Sequence, residues 1–220
     1  MTRRSEISER LSDIKKRIET AAKKAGRNPD EISLIVVTKN FPISDIQILA
    51  ELGVNDFGEN RDSDGAVKAL AVAGRWHFQG QIQSNKLKSI CSWAQVIHSL
   101  DELGHFKIIA RAATHPLDIF LQLNLDGVRT RGGALIQSLY PIAAAVAADP
   151  VHRLAGLMVV APLALAPEKA FEQLHAIATK FIQDFPQATA LSAGMSGDFE
   201  TAIAFGATHL RIGSQIMGSR

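Results

Sequence analysis

The chain has 220 residues, 46% apolar and 21% charged, the balance of a folded domain with a sizeable core rather than of a disordered chain. Lys and Arg number 24 against 22 Asp and Glu, so the net charge of +2 gives no case for nucleic acid or an anionic membrane as partner, and any anion site has to be local. The single cysteine, Cys91, excludes an internal disulfide and a multi-cysteine metal cluster and suits a reducing compartment, with the cytoplasm as the expected location.

The opening stretch "MTRRSEISERLSDIKKRIET" mixes basic with acidic residues and lacks the apolar core of a secretory signal. No later stretch has the apolar length needed to cross a bilayer. Ile7, Leu11, Ile14 and Ile18 recur at helical spacing, which predicts an amphipathic helix over 5–25, in an N-terminal region (1–30) packed on the barrel formed by the rest of the chain. From Ser33 onward short β-type runs alternate with longer helical patterns. The predicted strands are 33–38, 53–57, 75–79, 95–99, 117–124, 154–160, 188–192 and 207–211; the predicted helices are 43–52, 60–73, 82–90, 101–113, 132–147, 167–184 and 197–205.

Strand followed by helix until eight strands are counted is the pattern of a parallel sheet, and eight strands close a (β/α)8 barrel. An open doubly wound sheet competes, but it leads one to look for a glycine fingerprint after the first strand, and "TKNFPIS" has no glycine. The expected fold is therefore α/β, a single TIM-type barrel over 1–220 with an added N-terminal helix. Such a barrel gathers its chemistry just after the strands, at one face.

Lys39 ends the buried run "LIVV" at that face. A lysine leaving the core for solvent is the ordinary explanation, and a partly desolvated amine acting as nucleophile is the functional one. The loops after strands seven and eight read "SAGMSGD" and "RIGSQ". There Gly194, Gly197 and Gly213 allow close backbone approach and Ser196 and Ser214 offer hydroxyls, a pattern suited to phosphate. Closing the barrel sets strand eight beside strand one, so lysine and phosphate site become neighbours and point to a phosphorylated carbonyl compound. Sugar-phosphate aldolases and pyridoxal 5'-phosphate proteins both form Schiff bases on barrels. Arg211, in strand eight, favours the second, because its always-charged guanidinium suits a cofactor ring nitrogen and would keep it unprotonated.

The segments "VVTKNFP", "FGEN", "WHFQGQIQSNK", "GLMVVAP", "LSAGMSGDFETAI" and "GATHLRIGSQIMG", in this order, resemble the pyridoxal phosphate homeostasis proteins, the YggS/PROSC-like family. The resemblance implies a barrel like the N-terminal domain of alanine racemase, with pyridoxal 5'-phosphate held on Lys39. It places Asn60 and His77 as ring-side contacts, Met195 and Ser196 in the phosphate loop, Arg211 at the pyridine nitrogen, and Gly213 and Ser214 completing the phosphate cradle. It implies a cofactor carrier or regulator without robust catalysis. Its partners would be the cofactor and enzymes that require it, and its state a monomer or weak dimer. The chain departs from the family pattern at Arg61, where an aromatic is usual, at Arg131, which replaces a lysine, at Ala193 and at Phe41.

The chief alternative is a racemase-type enzyme, which needs a second acid or base across the cofactor from Lys39. Tyr140, the only tyrosine, falls in a helical run away from the strand ends. A cofactor-free aldolase is the other. His98, His105, His115, His152, His175 and His209 share no metal-ligand spacing with one another and read as structural or solvent-facing, Cys91 as a helix residue without a redox task, and "RTRGG", with Arg129 and Arg131, as facing solvent ahead of its alternative, a second phosphate site.

Overall fold

The computed structural model describes residues 2–128 and 132–218; Arg129 and Arg131 lie outside the described residues. Helix α1 spans Arg3–Lys24, with the Thr2 hydroxyl accepting the Ser5 N–H at its start. It buries Ile7, Leu11, Ile14 and Ile18, the predicted stripe, against the helices Phe199–Ala204 and Ser214–Met217 of the later chain.

The strands are β1 (Ser33–Val37), β2 (Asp56–Glu59), β3 (Arg75–Phe78), β4 (Val96–Leu100), β5 (Asp118–Leu123), β6 (Arg153–Val159), β7 (Ala190–Ser192) and β8 (His209–Ile212). The helices between them are α2 (Ile43–Glu51), α3 (Asp62–Ala71), α4 (Leu87–Trp93), α5 (Leu103–Ala112), α6 (Ile136–Ala147), α7 (Pro167–Asp184) and α8 (Phe199–Ala204), followed by the short α9 (Ser214–Met217). The strands pair in chain order, all parallel, and β8 closes on β1 with Ile35 opposite Arg211, so the expected eight-stranded barrel is present.

Three local expectations shift. The second strand begins at Asp56 rather than Gly53, since Gly53 turns with φ 81° and the pairing runs on through Gly58 and Glu59. The helix expected over 82–90 opens as a 3₁₀ turn at Ser84–Lys86 before α4. The helix α9 was not expected; four residues are too few to show a period.

The two faces of the strands differ. Phe57, Trp76, Phe78, Ile97, Ile119 and Leu210 face outward into one large apolar layer beneath the helices. Inward, a small apolar group of Val96, Phe120, Ala155 and Met158, with Ile35 of β1, lies among polar side chains. The polar members include Asp56, Arg75, His77, His98, Ser192 and Arg211.

Candidate functional site

Lys39 stands in a tight turn just past β1. The Phe41 N–H donates to the Thr38 carbonyl (3.1 Å), and Asn40, at φ 67°, takes the left-handed conformation that the third position of such a turn requires. Thr38 is fully buried, and its N–H donates to the Gly58 carbonyl (2.9 Å). Beneath it lies a buried ion pair. Lys68 of α3 donates to the Thr38 carbonyl (2.9 Å) and to Glu59 Oε1, while the Thr38 hydroxyl donates to the same carboxylate oxygen (2.7 Å). Glu59 Oε2 accepts the N–H of Asn60 (3.3 Å). One carboxylate therefore fixes both the turn that carries Lys39 and the backbone of Asn60, and a buried charge held from so many sides is stiff. The side chains of Lys39 and Asn60 are exposed at the barrel mouth. A cavity of about 340 Å³ beside Asn60 is lined by Arg61, Phe78, Gln83 and Lys86.

On the far side of β1, Arg211 points into the barrel from β8. It is 5% exposed, and it donates through Nη1 to Ser192 Oγ (2.6 Å) and through Nη2 to the Val159 carbonyl (2.8 Å). No carboxylate pairs with it among the described residues. Burial lowers it to about 10, which leaves it cationic at neutral pH. From Ser192 the bonding continues across the interior. Ser192 Oγ and His98 Nδ1 are 2.8 Å apart, His98 Nε2 and His77 Nδ1 2.9 Å, and His77 Nε2 and Asp56 Oδ1 2.9 Å.

The carboxylate at one end accepts and the guanidinium at the other donates, so with neutral rings every proton in this chain points from Arg211 toward Asp56. Burial lowers both His77 and His98, which supports the neutral rings. For Asp56, burial alone would raise the carboxyl, but the hydrogen bond from His77 and the charge of Arg75 help to bring it below its ordinary value. His77 was expected at the ring side. It is fully buried, with Asp56 on one nitrogen and His98 on the other, so both ring nitrogens belong to the interior chain.

The loops after β7 and β8 come together as predicted. Ser196 Oγ and Ser214 Oγ are 3.2 Å apart, and both hydroxyls lie at the mouth. Gly194 adopts φ 90°, and a Cβ there would fall 2.8 Å from that of Ala202, so the backbone turns where no side chain fits. At Gly213 a Cβ would come within 3.2 Å of the Val37 carbonyl. Met195 donates its N–H to Asp198 Oδ1 (2.6 Å), and its side chain is exposed. Arg17 of α1 reaches this loop indirectly: it donates to Glu200 Oε1 and to Gln215 Oε1, and Gln215 Nε2 donates to the Ser196 carbonyl.

Lys39, Asn60, Met195, Ser196, Gly213 and Ser214 thus share the mouth, with Arg211 below. Sequence alone gives no task to Ser192, Lys68 or Asp56, and it marks His98 as structural. Their partners lie 9 to 94 residues away in the chain, beyond any local pattern. Tyr140 packs against Phe181 and Phe185 and donates to Asp184 Oδ2 (3.1 Å), on the outer layer between α6 and α7. Cys91 is buried in α4, and burial pushes its thiol up to about 11. Asp101, Glu102 and His105, just past β4, bring potential metal ligands within 4.8 Å of one another. Asp101 accepts the Gly133 N–H (3.0 Å) and Glu102 is exposed, an arrangement that ties two loops.

Residues 10–220 match the family model described as alanine racemase, N-terminal domain. The chain is similar to curated proteins named pyridoxal phosphate homeostasis protein, at 38% identity to that of Corynebacterium glutamicum (93% of this chain, 97% of that one) and 35% to that of Mycobacterium leprae (98% and 93%). Among solved structures it resembles PipY of Synechococcus elongatus, determined with PLP bound, at a TM-score of 0.84 and 29% identity over 96% of this chain and 100% of that one.

Proposed function

Because the chain belongs to the pyridoxal phosphate homeostasis protein family, we propose that it binds pyridoxal 5'-phosphate, holds it as a Schiff base on Lys39, and serves the homeostasis of that cofactor without robust catalysis of its own. The observation that carries the reading is Arg211, a buried guanidinium without a carboxylate partner among the described residues, one strand from β1 and its Lys39 turn and below the paired hydroxyls of Ser196 and Ser214. These groups suit the cofactor's three polar features, with Arg211 for the ring nitrogen, the Met195–Ser196 and Gly213–Ser214 loops for the phosphate, and Lys39 for the aldehyde. When bound, the group would supply an aldehyde, and Lys39 would offer the amine that holds it. Asn60 would border the ring, and His77 would act through His98 and Ser192 by holding Arg211 in place. A donor that stays protonated leaves the ring nitrogen unprotonated, which makes a weak electron sink and favours carriage over carbanion chemistry.

The place of Tyr140 supports the carrier over a racemase, since proton transfer from two sides needs a second group at the mouth and this hydroxyl is bonded to Asp184 on the outer layer. No helix among the described residues is long and apolar enough to cross a membrane. A cytoplasmic location, transfer to enzymes that require the cofactor, and a monomeric or weakly dimeric state belong to the same proposal. The test is the absorbance of purified protein and of a Lys39→Ala variant, each with pyridoxal phosphate and then borohydride. A band that borohydride fixes onto Lys39, and that the variant lacks, is the expected result; a colourless protein indifferent to the cofactor overturns the reading, and rapid racemisation dependent on Lys39 overturns the carrier.

A further inference from the structure

One polar group at the mouth has no task in that reading. Along β3 the side chains of Arg75 and His77 face the interior, and the two-residue period of a strand makes Gln79 the next position on that face. The same count leads from Ile35 and Val37 to Lys39, and from Asp56 and Gly58 to Asn60. Three neighbouring strands therefore bring Lys39, Asn60 and Gln79 to one tier at the mouth.

The backbone of Gln79 is fixed, its N–H donating to the Glu59 carbonyl (2.8 Å). Its amide reaches inward. A Cβ built on Gly58 would lie 2.5 Å from Gln79 Nε2 and 3.1 Å from Ile35 Cγ2, and Ile35 is the register partner of Arg211. The missing side chain of Gly58 makes the space into which the amide turns. Nε2 is buried there with no hydrogen-bond partner among the described residues. An orphaned buried donor lowers stability, whereas the interior groups of His77, His98, Ser192 and Arg211 all have partners. The exception lies in the tier of Lys39.

We infer that Gln79 is a ligand-binding residue whose amide N–H donates to the phenolic oxygen of the cofactor. The inference rests on the proposed binding of pyridoxal phosphate. With the phosphate assigned to the loops after β7 and β8 and the ring nitrogen to Arg211, the phenolic oxygen is the acceptor left for a donor on β3.

The test replaces Gln79 by Met, similar in length and unable to donate. Pyridoxine 5'-phosphate, which keeps the phenol and the phosphate but has no aldehyde, reports the contact without the covalent bond. Gln79→Met should bind it about tenfold more weakly than wild type, the loss of one hydrogen bond to a charged acceptor, while the ligand-free variant melts at or above the wild-type temperature. Binding within twofold of wild type overturns the assignment. If the Met variant does not fold, Gln79→Leu takes its place in the same titration, and failure of both to fold also overturns it, since the amide would then be structural. Wild-type protein that binds neither pyridoxal phosphate nor pyridoxine 5'-phosphate sinks the cofactor reading itself, an outcome distinct from loss of Gln79's role alone.

Discussion

The two faces of the same strands have different compositions and different tasks. Outward, β2 and β3 present Phe57, Trp76 and Phe78 to the helices, and Trp76 packs 5.1 Å from Phe57, ring centre to ring centre. Inward, the alternate residues of the same strands are Asp56, Arg75 and His77. Burial of apolar area scales with what the outer layer removes from water, so the outer face supplies most of the stabilisation. The inner face is thereby released to hold charges and imidazoles that a core built for stability alone would replace with hydrocarbon.

The sharpest way to break this comparison is on the outer face. Trp76→Ala should lose about 3–5 kcal/mol of stability, a fall in Tm of roughly 6–20 °C, while the fraction still folded binds cofactor as before. An equal loss of binding by folded protein would show that the faces are not separable. On the inner face, Arg211→Met should reverse the pattern, with binding weakened roughly 10–100-fold in a cofactor titration and stability changed by about 1 kcal/mol or less, because a desolvated charge goes with its hydrogen bonds.

A pH series reads the same division. Burial lowers His209 to about 4, against an ordinary value of 6.5, so the unfolded chain takes up the proton first. That stability is present in full above pH 6.5 and is lost as pH falls toward 4, on the order of 2 kcal/mol at pH 5 from this residue alone. His77 and His98 shift in the same direction. Urea melts at pH 7 and pH 5 should show the decline, and His209→Phe should flatten it. The smallest effect is expected at Arg17→Ala, where partly exposed bonds to Glu200 and Gln215 are worth about 0.2–1 kcal/mol; a titration with inorganic phosphate should detect it better than a melt.

Much of the architecture was legible because it is periodic. The stripe of α1 and the eight-fold alternation of strand and helix both survive in the structure. That Lys39 and the two serine loops share one face was legible for a related reason, since the strand ends of a barrel converge there. The interior was not. Gly58 looks like a turn residue, yet it sits within β2, where its missing side chain admits Gln79. The partners of His77 were not legible, because its neighbours in sequence do not reveal that both nitrogens are taken by Asp56 and His98, each 21 residues away. Lys68 carries no signal in its own helix, and only the closed fold brings it under Thr38.

The closure of β8 on β1 also has a consequence for synthesis. Lys39 leaves the ribosome early and Arg211 and Ser214 late, with α1 waiting throughout for the α8 and α9 surfaces that cover its apolar stripe. A chain cut short before residue 209 has no last strand to set beside the first, so the lysine would be present without the groups that orient its ligand. If the proposed site holds the cofactor, its colour would then mark finished molecules.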